Sequence, residues 1–188
     1  MLQKGMTKVE IERELYGRGD FVLIDNITRF LKQSSGVPLD TKKFLYIKLI
    51  EIYERRSMCS EAGRLCEVLA ELSITSQEKI NHLLRATENY IKTGFFDKVD
   101  YTMKKALAES TISGKAQIYI SVKSFYKNQA ETYEKEKRRN NALKTYEKML
   151  RMDIFESDRL DIEKKLLPLY KDLGMIKEFM DLNKRIGG

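Results

Sequence analysis

The chain has 188 residues, of which 42% are apolar, enough to fill the core of one domain. Lys and Arg number 35 against 28 Asp and Glu, so the charge is of mixed sign and the net +7 excludes a disordered polyelectrolyte while leaving a mild bias toward acidic partners. Only 2 Pro and no Trp occur among abundant Lys, Glu, Leu and Ile, which excludes a sandwich or barrel of short strands and predicts an all-α chain.

Five segments in chain order share a tyrosine, a short turn and a second amphipathic run. The first, ELYGRGDFVLIDNITRFL, predicts a hairpin over residues 7–34, with Tyr16 ending one helix and Gly19 taking the left-handed conformation in the turn. SSGVPLD then marks the start of a hairpin over 40–72, where Phe44, Ile47, Leu49, Ile50 and Tyr53 return at helical spacing. Ser57 is the expected N-cap of its second helix. Thr75-x-x-Glu78 has the capping-box pattern and opens a hairpin over 76–110 that turns at Gly94, after Tyr90. The fourth hairpin, 114–152, begins with GKAQIYISVKSFYKNQAETYEKEK, which predicts one helix of roughly six turns. The fifth, 156–186, carries Pro168 inside its first helix, where it is expected to bend the axis, and turns at Gly174. Tyr16, Tyr53, Tyr90, Tyr133 and Tyr170 are separated by 37, 37, 43 and 37 residues, so the reading is one α-solenoid domain over 1–188 with ten helices in five hairpins.

The third segment, with Tyr90, Gly94, Phe96, Val99, Met103, Ala106 and Leu107, resembles the tetratricopeptide repeat (TPR) family, and the fourth follows with Ala130, Tyr133, Ala142, Tyr146, Met149 and Leu150. The resemblance covers nearly the whole chain but is degenerate, with a period of 37 and without the end-of-repeat proline. It implies a right-handed TPR-like superhelix and a non-enzymatic adaptor or assembly scaffold that binds a peptide or helix of a protein partner in a concave groove. The groove positions it implies include Glu51, Arg55, Asn81, Leu84, Glu88, Lys92, Lys127, Glu131 and Lys135. The lysine and asparagine clamp with which some members hold a C-terminal carboxylate is disfavoured, because Ile47, Leu84, Glu51 and Glu88 stand at its positions.

Glu14, Glu51, Glu88 and Glu131 each lie two residues before a tyrosine, and Arg18, Arg55, Lys92 and Lys135 two after it. Four residues apart on a helix, with Glu first, is the favourable order for an ion pair. On one reading these pairs stabilise each helix; on the other they form a zwitterionic ladder along the groove that orients a partner. The second function class is an RNA- or ribosome-associated protein using a basic patch of Lys137, Arg138, Arg139, Lys144, Lys148 and Arg151.

His82 is the only histidine, and no Gly-rich phosphate loop, nucleophile elbow or HExxH occurs, so no catalytic, metal or cofactor site is expected. Cys59 and Cys66 are expected to be buried as small apolar side chains in a reducing compartment. The N-terminal stretch lacks the apolar core of a signal peptide, and no stretch approaches the ~18 apolar residues that span a bilayer, so a cytoplasmic protein without membrane contact is expected. The last hairpin has one neighbour only and would leave Ile176, Phe179 and Met180 poorly covered, which makes it the expected surface for a homodimer.

Overall fold

The computed structural model describes residues 2–33, 36–152 and 155–187, and among these every regular element is a helix. They pair as α1 (Lys8–Leu15) with α2 (Asp20–Gln33), α3 (Leu39–Arg55) with α4 (Cys59–Leu72), and α5 (Ser76–Thr93) with α6 (Phe96–Glu109). Two further pairs follow, α7 (Ile112–Lys135) with α8 (Arg139–Leu150) and α9 (Glu156–Asp172) with α10 (Ile176–Ile186). Contacts from α2 onward join helices adjacent in the chain, and α5 also touches α7, the next first helix. This is a solenoid arrangement, in which each hairpin buries its apolar face against its neighbours.

Three of the first helices begin at a threonine. Thr7 and Glu10 form a reciprocal capping box, with the Thr7 amide donating to the Glu10 carboxylate at 2.7 Å. Thr75 accepts the Glu78 amide and Thr111 the Gly114 amide, so each satisfies one of the four amides that a helix start leaves open.

The second helices start without any side-chain cap, and the reason is a turn repeated four times. The amides of Met58, Phe95, Arg138 and Met175 donate to the carbonyls of Tyr53, Tyr90, Tyr133 and Tyr170, five residues back, at 2.8 to 3.0 Å. The amides of Ser57, Gly94, Lys137 and Gly174 donate three residues back, to Glu54, Ile91, Glu134 and Lys171. This double bond pattern is a Schellman turn, which requires a left-handed residue between helices. That residue is Ser57 (φ 57°), Gly94 (φ 74°), Lys137 (φ 60°) or Gly174 (φ 71°). The residue that follows has φ between −81° and −87° and ψ between 56° and 69° in all four hairpins, so each second helix leaves in the same local direction.

Two expectations are corrected here. Ser57 is not a cap; it is itself the left-handed residue, and Met58 precedes the helix. In the first hairpin Gly17, not Gly19, has positive φ, and Tyr16 lies outside α1 in extended conformation, 89% exposed. With only 8 residues, α1 ends before the register of the other repeats is reached, and no bond of the five-residue type forms.

The core runs as one cluster from Ile50 through Tyr90, Tyr126, Tyr133 and Tyr146 to Leu182. A second cluster, with Ile11, Ile27, Phe30 and Leu45, covers the first hairpin and one side of α3, and Tyr53 and Leu65 border both. Tyr90 is 1% exposed and packs on Gly63 of α4 so closely that a Cβ there would lie 2.8 Å from its ring. The ring is also held through its hydroxyl, which donates to Glu67. Tyr170 repeats this contact one solenoid end later, donating to Glu147 at 2.9 Å, again 23 residues earlier in the chain. The six additional residues of the fourth repeat lengthen α7 to 24 residues, and α9 runs continuously through Pro168. At the far end Ile176 and Met180 are exposed, and Phe179 is half-buried.

Two sets of variants test this account by thermal melting. Gly63→Ala forces a methyl into a pinned ring and is expected to cost about 1–3 kcal/mol. Ser57→Gly and Lys137→Gly each relieve a left-handed side-chain residue and are expected to raise stability by about 0.5–1 kcal/mol, while Gly94→Ala lowers it by a similar amount.

Candidate functional site

The first helices supply the groove candidates, and the structure brings four of them into two clefts. Lys127 and Glu131 of α7 line a cleft of about 370 Å³ with Asp158, Asp161, Lys164 and Lys165 of α9, over an apolar floor of Tyr146, Met149 and Ile162. Glu51 and Arg55 of α3 line a second, of about 360 Å³, with Glu12, Leu15 and Tyr16 from the first hairpin. Asn81, Leu84, Glu88 and Lys92 lie on α5; Leu84 is half-buried against the main core, and Asn81 accepts a bond from Gln77 at 2.9 Å. Lys135 is the exposed last residue of α7.

The within-helix charge column forms in part. Glu14 pairs with Arg18, and Glu88 with Lys92 at 2.7 Å. Arg55 instead crosses to Asp20 of α2, and Glu51 lies 4.0 Å from Lys48. No ion pair joins Glu131 to Lys135 among the described residues. A column built only to stabilise helices would not divert Arg55 across a hairpin boundary, and a continuous ladder would not be interrupted there.

The stronger electrostatics lie between consecutive first helices. Glu54 of α3 takes both guanidinium branches of Arg85 of α5, at 2.9 and 2.7 Å, and a third bond from Asn89 at 2.8 Å. Glu134 of α7 likewise faces Lys165 of α9 at 3.6 Å while accepting the Tyr146 hydroxyl at 3.1 Å. Each glutamate directly follows its tyrosine and each cation stands five before the next tyrosine in the array, an offset of 31 residues in both cases. That common offset is the sequence signal by which these pairs could have been found. Lys123 of α7 adds a bond to Asp158 of α9 at 2.7 Å, at the rim of the larger cleft.

The basic patch is largely engaged within the fold. Arg139 bonds Asp172 at 3.0 Å, Lys148 bonds Asp100 at 2.6 Å, and Arg138 lies over the Tyr133 ring at 4.6 Å while reaching Glu136 at 3.3 Å. Lys137 forms the turn, and Lys144 and Arg151 share a small cleft with Phe96 and Glu147. These carboxylates dilute the field that a polyanion would meet.

His82 is half-buried, and burial together with the Arg85 charge pushes its imidazole below the usual range. Cys66 is fully buried and its thiol is pushed up to about 12 by burial; the half-buried Cys59 is raised in the same way. No helix is long and apolar enough to cross a membrane among the described residues.

Burial pushes the Glu54 carboxyl up, but its bonds from Arg85 and Asn89 outweigh that and hold it below the usual carboxylate range. A folded value below the unfolded one means the stabilisation is complete above the ordinary value near ~4.3 and is lost as pH falls through the folded value. Arg85→Gln is therefore expected to cost about 1–2 kcal/mol at pH 7, and its melting temperature should approach the parent's below pH ~4. A gap that stays constant over that range would show that Glu54 is not the partner that matters. Comparison with known protein families finds none that matches the chain, and comparison with curated proteins finds no relative.

Proposed function

We propose that this chain is a non-enzymatic cytoplasmic adaptor of TPR-like kind, which binds a peptide or helix of a protein partner along the first helices of its hairpins. The observation that carries this is the cleft between α7 and α9. Its floor of Tyr146, Met149 and Ile162 suits one large apolar side chain, and its rim presents both signs of charge. Lys127, Glu131, Asp161 and Lys164 stand on that rim outside the ion pairs that tie the helices together. Such an arrangement selects a partner by register and charge pattern more than by bulk attraction.

The competing RNA or ribosome reading needs the patch around α8, where binding would have to displace Asp172 from Arg139 and Asp100 from Lys148. Affinity purification with nuclease treatment yields the partner, and two variants then separate the readings against it. Reversing Glu51, Glu88 and Glu131 to Lys is expected to weaken binding at least tenfold with little change in helicity, since exposed charge changes stay within ~0.5 kcal/mol each. Neutralising Arg138, Arg139, Lys144 and Lys148 is expected to leave binding intact. The opposite pattern, with a loss of about one log unit per phosphate contacted for each decade of salt, would assign the chain to nucleic acid.

A further inference from the structure

The first hairpin is joined to the array differently from the later ones. In each later junction the recurring tyrosine reaches back to the hairpin before it: Tyr90 donates to Glu67, Tyr133 to the Lys92 carbonyl at 2.8 Å and Tyr170 to Glu147 at 2.9 Å. Tyr53, at the junction with the first hairpin, makes no such bond among the described residues. The core divides at the same place. Ile11, Leu15, Ile27 and Phe30 pack with Leu45, Leu49 and Ile52 on one side of α3, while Ile50 belongs to the cluster that runs through the later hairpins, and the two clusters meet at Tyr53 and Leu65.

What holds this hairpin to α3 lies near the surface and is incompletely packed. Its polar ties among the described residues are Asp20 with Arg55, Glu12 with Lys48 at 3.2 Å, and the Phe21 ring beneath Arg56 at 4.6 Å. Surface pairs of this kind contribute little to stability. Between the hairpin and α3 lies the cleft of about 360 Å³, lined by Leu15, Leu23, Ile27 and Ile52. Within α2 the Thr28 hydroxyl is buried without a partner, a cost that the hairpin sheds when water reaches it. The hairpin's own turn also lacks the bond to a tyrosine carbonyl that closes the other four. The opposite end of the array is terminal too, yet it shares the long cluster through Ile162, Leu166 and Leu182, keeps the bridge from Tyr170 to Glu147, and closes its turn at Gly174. Standing at an end therefore does not account for the difference.

We infer that the first hairpin, residues 7–33, is a detachable cap that opens as one unit ahead of the rest of the fold and gates the apolar face of α3 formed by Leu45, Leu49 and Ile52. A unit with its own small core and solvent-exposed ties opens sub-globally while its neighbours stay folded. Opening also takes apart the cleft that holds Glu51 and Arg55, so the groove at that end belongs to the closed form. The inference rests on packing and stands whether or not the chain binds a peptide.

The test is hydrogen exchange of the full chain, read by mass spectrometry. Amides of α1 and α2 are expected to exchange together, at least about tenfold faster than those of α9 and α10 and about a hundredfold faster than those of α5. Arg55→Gln, which removes one surface tie, should quicken α1 and α2 about three- to tenfold and leave α5 and α8 unchanged. The gate is read separately by thiol labelling of Leu49→Cys, mapped by peptide, with the native Cys66, fully buried in the main cluster, as the reference in the same molecule. The introduced thiol is expected to react at least about tenfold faster than Cys66, and faster again when combined with Arg55→Gln. Exchange of α1 and α2 no faster than that of α9 and α10 overturns the inference, as does an Arg55→Gln effect shared equally by α5 and α8, because the hairpin then melts only with the whole. Equal labelling of the two thiols overturns it as well, since the face of α3 would then stay covered for as long as the chain is folded.

Discussion

The bond from the amide five residues on to the carbonyl of the recurring tyrosine sets the geometry on which the other contacts are built. It closes the first helix and demands a left-handed residue. It then launches the second helix at one backbone conformation in four hairpins. With the turns alike, the tyrosine turns inward in the third, fourth and fifth hairpins: Tyr90 and Tyr170 reach back to a glutamate 23 residues earlier, and Tyr133 donates to the Lys92 carbonyl. The first hairpin lacks this bond, and its tyrosine is left in solvent. The constraint is strong enough that Ser57 and Lys137 occupy a conformation costing an L-residue about 1–2 kcal/mol.

Charge has two uses along the array. One set of carboxylates and cations joins successive first helices, with Glu54, Arg85 and Asn89 as the most complete example and Glu134 with Lys165 as its echo. These groups are partly shielded and directed, so they fix how one hairpin sits on the next. The other set is left on the rims, where Lys127 and Glu131 border an apolar floor. Only the first set ties one hairpin to the next. Several cations of the basic patch around α8 belong to the first set, as Arg139 with Asp172 and Lys148 with Asp100 show.

The inserted residues alter this pattern at one place. With α7 lengthened to 24 residues, Ile112, Ala116, Tyr119 and Ile120 in its first half stay exposed.

Helical class, the pairing of ten helices into hairpins and the unusual length of the fourth first helix were legible in the sequence, because apolar spacing, the tyrosine interval and the insertion are local patterns. Gly94 and Gly174 were legible as turn residues for the same reason. Ser57 and Lys137 were not, since a left-handed residue without glycine carries no compositional mark; only the bond to the tyrosine carbonyl reveals it. Tyr16 matched the interval but not the structure, because α1 is too short to bring it into register. The groove residues followed helical phase, which decides the face of one helix and not its neighbours. Which acid Arg55 chooses, whether Lys148 is free, and where Lys127 and Glu131 meet α9 depend on how hairpins stack, and that is set by contacts between residues some 30 to 50 positions apart. Tertiary structure alone decided these, because a long charged side chain selects among several partners of similar energy by distance.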